Sequence, residues 1–301
     1  MRGHVDALAA AIAASTNLSL LAKVTPADVV WKPFPHLVVR DALPAAVAAR
    51  LRDEMPPLDT LRRDRVLGSN ERVSYPYRAA SADDSISITW KRFLAAHVGQ
   101  AFLDRLTTVF GPSLRDLHPR FEKRCGSIDR LRAGIRGVDD DRADVFLDAQ
   151  ICANSPVLHK ASTVRGAHVD MQDKLFVGLY YLRHAADDSV GGGLQLYAPR
   201  AGSNPWVRER FVARDRFELF RTIPYEHNVL VLLLNSIRSV HLVTARSPTP
   251  FPRLLVNLVG AVREPLWCYQ KWPHERLHQR MMWYYAASMP WTAEGDRQAL
   301  P

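Results

Sequence analysis

The chain has 301 residues, 47% of them hydrophobic and 24% charged, an ordinary globular balance with enough length for a sizeable core. The formal net charge of +9 is spread along the chain without a Lys/Arg block, which disfavours a nucleic-acid partner and suits a site for small anions. Cys125, Cys152 and Cys268 stand far apart with no C-x-x-C spacing, against a disulfide framework or zinc ribbon, so a reducing cytoplasm is the expectation.

Residues 5–23, rich in Ala and Leu, predict a helix, and Asp6 interrupts what would otherwise resemble a secretion signal. "PHLVVRD" (35–41) predicts a strand, followed by a helix that opens near Pro44 and ends at Pro56-Pro57. Residues 58–85 are polar and predict irregular structure; Arg62, Arg63, Arg65, Tyr75 and Tyr77 there make a candidate rim. Residues 87–111 have helical spacing, with Gly111 as the expected stop. Residues 113–143 predict a short helix and a loop.

The texture changes at Asp144. "DVFLDAQICAN", "KLFVGLYYLRH", "GGLQLYA", "NVLVLLLNS" and "RLLVNLVGAV" are short apolar runs separated by turn chemistry, notably "DDSVGGG" (187–193). Strands at this spacing predict an antiparallel sandwich or barrel. "NVLVLLLNSI" (228–237) is too short to cross a membrane and predicts a buried strand. Residues 198–224 predict an insert, with Arg200, Arg208, Arg210, Arg214, Arg216 and Arg221 on a solvated face or at a substrate mouth that prefers anions. The tail 264–301, with Trp267, Trp272, Trp283 and Trp291, is expected to pack back on the body.

His-Val-Asp occurs twice, at 4–6 and at 168–170, and chance supplies about one His-x-Asp in such a chain. In an extended segment residues i and i+2 share a face, so His168 and Asp170 can converge; in a helix His4 and Asp6 diverge by about 200°. Two histidines and one carboxylate suit Fe(II) with open positions. The third ligand is expected on another β element, where His241 follows a buried strand. Arg253, about twelve positions on, opens the next strand and could pair bidentately with the far carboxylate of a dicarboxylic co-substrate; Arg246 is its competitor.

The ordered set "HVD" (168–170), "GGGLQLY" (191–197), "SVH" (239–241) and "PRLLVNLVG" (252–260) resembles the iron(II)/2-oxoglutarate-dependent oxygenase superfamily in its prolyl-hydroxylase-like branch. "PFPHLVVRDALPAAVAARL" (33–51) resembles the strand-helix opening of many such enzymes. The resemblance implies a double-stranded β-helix (jelly-roll, cupin-like) core of α+β class. It implies one domain over 1–301, with a mostly helical part (1–143), the jelly-roll core (144–263) and a C-terminal tail (264–301). It implies Fe(II) on His168, Asp170 and His241, 2-oxoglutarate anchored by Arg253, and O2 as oxidant. The reaction would hydroxylate a C–H bond, releasing succinate and CO2. The family's tyrosine before His-x-Asp is missing, and Gln150 or Asn154 is the candidate substitute. The expected substrate is a small molecule, such as an amino acid or natural-product intermediate, with a peptidyl side chain or a non-catalytic binding role as alternatives.

Overall fold

The computed structural model describes residues 18–139, 142–202, 210–212 and 214–268. Ten strands form two facing sheets. β1 (His36–Arg40), β2 (Arg72–Tyr75), β3 (Ala133–Ile135), β4 (Val145–Asn154), β5 (Lys174–Tyr181), β8 (Val229–Leu234) and β10 (Arg253–Ala261) make the large sheet, in order β1-β8-β5-β10-β4-β2. β3 shares the outer edge of β4 with β2 and is parallel to it, while the other pairs are antiparallel. β6 (Leu194–Pro199), β7 (Phe217–Ile223) and β9 (His241–Val243) make the small sheet, in order β7-β6-β9.

Each face of the large sheet has its own partner. Leu147, Ala149, Ile151, Tyr180, Leu232 and Val256 point to the helices, α1 (Ala45–Asp53), α2 (Leu58–Arg62), α3 (Tyr77–Ala82), α4 (Ile88–Ala95), α5 (Gln100–Leu117) and α6 (Phe121–Cys125). Trp90 and Phe93 of α4 and Leu103, Leu106 and Phe110 of α5 fill that layer. Alternation sends Cys152, Leu179, Tyr181, Val231, Leu233 and Leu255 the other way, onto Leu194, Leu196 and Ile223 of the small sheet. β8 and β10 are buried along their whole length, as central strands covered on both faces must be. The result is a jelly-roll sandwich with a helical layer on one side, an α+β arrangement with a mainly β core. No helix among the described residues is long and apolar enough to cross a membrane.

Several sequence expectations change. The helix over 5–23 lies mostly outside the described residues, as does His4, but its last part, 18–23, forms turns. Tertiary bonds replace helical ones there: Leu20 N–H donates to His97 Nε2 (3.1 Å), and Arg105 caps the carbonyls of Leu21 and Val24. The helix over 87–111 is two helices, α4 and α5, broken before Gly99, whose extended backbone caps α5. Gly111 does not stop α5, which continues through Pro112 to Leu117. An interior proline costs about 3 kcal/mol, and burial of Ser113 and Leu114 beyond it offsets that. Residues 58–85 contain α2, β2 and α3, and the expected insert 198–224 contains β7, an edge strand exposed at its five central positions.

Candidate metal centre

The segment between β4 and β5 runs beside β9 and the loop after it. Isolated bridges pair Val157 with Thr249, Ser162 with Arg246 and His168 with His241. At the last bridge His168 and His241 exchange both backbone hydrogen bonds, each 3.0 Å. Directly opposed residues of an antiparallel pair present their side chains on one face, and Asp170, two residues on, returns to that face. The strand geometry alone therefore brings the three groups together.

One ligand atom from each of His168, Asp170 and His241 lies within 4.8 Å of the others, and all three residues are buried. His241 Nε2 is 3.7 Å from Asp170 Oδ2. His168 Nδ1 lies 2.8 Å from Gly166 O, and His241 Nδ1 lies 2.9 Å from Ser239 O. A carbonyl only accepts, so both Nδ1 atoms carry the proton and both Nε2 lone pairs face the centre. Burial, with His241 adding repulsion, pushes the His168 imidazole down to about 3, so it is neutral near pH 7. Burial would raise the Asp170 carboxyl, yet Lys174 and the two imidazoles hold it well below the usual carboxylate range. Lys174 Nζ takes Asp170 Oδ1 at 3.2 Å and leaves Oδ2 to the centre. Two imidazole nitrogens and one carboxylate oxygen make a donor set that fits Fe(II).

A second polar group of side chains lies deeper between the sheets. Arg253 is 2% exposed, its Nε donates to Gly192 O (2.8 Å), and its guanidinium lies 5.1 Å from the ring centres of Tyr181 and Tyr225. Burial lowers its pKa. No carboxylate among the described residues pairs with it, and its Nη2 has no well-formed hydrogen bond. Tyr181 Oη and both amide atoms of Asn154 are equally without one. Gly191 lets this corner close: at φ +91°, a Cβ there would sit 1.8 Å from Ala245 O.

The competing arginine differs. Arg246 is buried but has its counter-charge, with Nη2 2.7 Å from Asp187 Oδ2 and Nε donating to Ser189 Oγ at 2.8 Å, which leaves its Nη1 without a hydrogen bond. Gln150 is committed as well, donating to Asp148 Oδ2 (2.7 Å) and accepting from Asn257 (3.1 Å), whereas the amide of Asn154 is open. Arg63, Tyr75 and Asp83 bond among themselves, as do Arg65 and Glu71, and Tyr75 faces the helical layer. His184 is exposed and stacks on Phe251. Of the insert arginines, Arg208 lies outside the described residues, while Arg210 sits over the Phe211 ring, whose centre is 6.2 Å from that of His168. In the tail, Trp267 packs against the cluster of Ala167, Val169, Val240 and Leu242, and residues 269–301 lie outside the described ones.

Lys174 and Tyr181 are the residues the sequence reading missed. Lys174, four positions after Asp170, was a visible signal; Tyr181 needed the register of β5 on β10, which sets it opposite Leu255, two positions from Arg253 on the same face.

No family model matches the chain, and no curated protein matches it. Solved structures do. A Pseudomonas putida prolyl-4-hydroxylase matches at 13% identity and TM-score 0.43, over 75% of this chain and 92% of its own. A prolyl 4-hydroxylase structure from Phytophthora capsici matches at 12% and 0.45, over 92% and 75%. The Fe(II)/(alpha)ketoglutarate-dependent dioxygenase TqaL matches at 12% and 0.43, over 75% and 82%. The roles of side chains in this protein rest on its own geometry.

Proposed function

We propose that residues 1–301 form one non-haem Fe(II)/2-oxoglutarate-dependent dioxygenase domain that hydroxylates an unactivated C–H bond of a small molecule. The observation that carries this reading is the pairing of two unlike sites in one sandwich. His168, Asp170 and His241 offer two free Nε2 atoms and a carboxylate oxygen; deeper in, a buried guanidinium has no carboxylate of its own. A metal-chelating diacid would fit both.

Bound Fe(II) and 2-oxoglutarate would supply oxidative decarboxylation to succinate and CO2 with O2 as oxidant. His168 and His241, fixed in one tautomer by Gly166 O and Ser239 O, would hold the metal. Lys174 keeps Asp170 Oδ1 engaged, so Oδ2 is the oxygen that would be left to the ion. Arg253, with Asn154 and Tyr181, takes the far carboxylate in a dry pocket where a charge-assisted pair is strong. Phe211 (51% exposed) and Met171 (41% exposed) flank the ligands, and Arg210 stands beside Phe211. That mouth suits a small substrate with an apolar part and an anionic group.

The test is succinate formation from 2-oxoglutarate after anaerobic loading with Fe(II) and admission of O2. The reading expects iron-dependent succinate, uncoupled turnover without substrate included, and its loss in Asp170→Ala. A protein that binds neither metal nor 2-oxoglutarate would instead be a non-catalytic jelly-roll binder.

A further inference from the structure

Arg253 is not alone in its row of the sheet. Arg72 of edge strand β2 is paired with Asn154 of β4, and Asn154 is paired on its other side with Arg253 of β10. Opposed residues share a face, so Arg72, Asn154 and Arg253 form one row across three neighbouring strands, on the concave face. Strands are about 4.8 Å apart, so the two arginine backbones stand roughly 10 Å from each other with the asparagine between them. The Arg72 side chain does turn inward: its Nη2 is 3.3 Å from Sγ of Cys152, a buried concave-face residue. Both amide atoms of Asn154 and Nη2 of Arg253 are buried there without a hydrogen bond.

The charges agree with this placement. Asp187 neutralises Arg246 and lies 3.5 Å from Arg183, but no carboxylate among the described residues pairs with Arg253. Burial disfavours the charged form of Arg253 most; Tyr181 and Tyr225 favour it, and repulsion from Arg72 and Arg246 adds to the effect of burial. Two guanidinium groups on one row favour an anion between them, and a neutral chain end would not offset their mutual repulsion.

Resting on the oxygenase reading, we infer that Arg72 is a second guanidinium on the far carboxylate of the co-substrate, a specificity residue that selects a diacid over a 2-oxo acid with an uncharged tail. Arg253 grips that carboxylate from the buried side, Arg72 from the edge of the sheet, and Asn154 donates between them.

Calorimetric titration of the Mn(II)-loaded protein tests this without turnover. The probes are 2-oxoglutarate and 2-oxopentanoate, which has the same chain length and lacks the far carboxylate. Arg72→Gln is expected to weaken 2-oxoglutarate about tenfold and leave the weak binding of 2-oxopentanoate unchanged; Arg253→Gln is expected to cost roughly a hundredfold. Arg72→Lys, which keeps the charge without the fork, should fall between wild type and Arg72→Gln, and carries the test if the glutamine variant does not fold. If Arg72→Gln binds 2-oxoglutarate as wild type does while Arg253→Gln is weak, Arg72 is not an anchor and the oxygenase reading stands. If Arg72→Gln weakens both probes equally, its effect is structural and the inference fails. If wild type does not bind 2-oxoglutarate, or Arg253→Gln binds it normally, the functional reading fails with it.

Discussion

The two faces of the large sheet bury the same residue types to opposite ends. On the helical side, His97 is 1% exposed and uses both ring nitrogens: Nδ1 is 2.7 Å from Phe93 O and Nε2 accepts from Leu20 N–H at 3.1 Å. On the side of the small sheet, His168 and His241 are as well buried but engage only Nδ1. The concave side repeats the contrast with arginine, since Arg246 has its carboxylate and Arg253 has none. Burying a polar group costs free energy unless it is hydrogen-bonded. Trp90 Nε1 on the helical face is a lone open donor, whereas on the concave face open polar atoms of Asn154, Tyr181 and Arg253 lie on neighbouring strands.

The largest stability loss is expected on the helical face. Trp90, fully buried with its ring edge-on to Phe93, should cost about 4 kcal/mol as Trp90→Ala, measured by chemical denaturation. A loss below about 1 kcal/mol would mean that this layer does not support the sheet. Next comes Arg246→Met, which takes the nearer of its two arginines from the buried Asp187 carboxylate and leaves it Arg183 at 3.5 Å; it should cost about 3 kcal/mol. His97 sharpens the contrast through pH. Burial pushes its pKa down to about 4, so the unfolded chain takes up the proton first. Its contribution to stability is complete above about pH 6.5 and drains away as pH falls toward 4, with about 2 kcal/mol gone at pH 5. The stability gap between wild type and His97→Gln should therefore narrow by that amount from pH 7 to pH 5, and an unchanged gap would show that His97 is not buried neutral. The smallest effect is expected at Arg253→Met. Removing a buried charge that has no counter-charge should change stability by no more than about 1 kcal/mol, in either direction, while 2-oxoglutarate binding is lost. Equal destabilisation by Arg246→Met and Arg253→Met would erase the distinction between the two arginines.

Much of this architecture was legible in the chain. The five apolar runs after Asp144 are β4, β5, β6, β8 and β10, because strands buried on one or both faces need such runs. His168, Asp170 and His241 were legible because alternation and the buried strand before His241 limit where they can point. The short pieces were not. β9 has three residues, and β7 is exposed on both faces, so "FELFRTI" carries no alternation and looked like part of a polar insert. The continuation of α5 through Gly111-Pro112 depends on packing rather than on local propensity. That Gln150 and Arg246 are already engaged by carboxylates, and Asn154 and Arg253 are not, was not legible: each pair is alike in chemistry, and only three-dimensional bonding tells its members apart. Arg72 enters for the same reason, through its pairing with Asn154.

Metal binding by the folded chain tests the central claim most directly: equilibrium dialysis against Fe(II) under anaerobic conditions, or against Mn(II), with metal analysis of wild type, Asp170→Ala and His241→Ala. The account predicts one ion per chain and at least about a hundredfold weaker binding in either variant, with both still folded. An ion held as tightly without the Asp170 carboxylate or the His241 imidazole, or none held by the wild type, would contradict it.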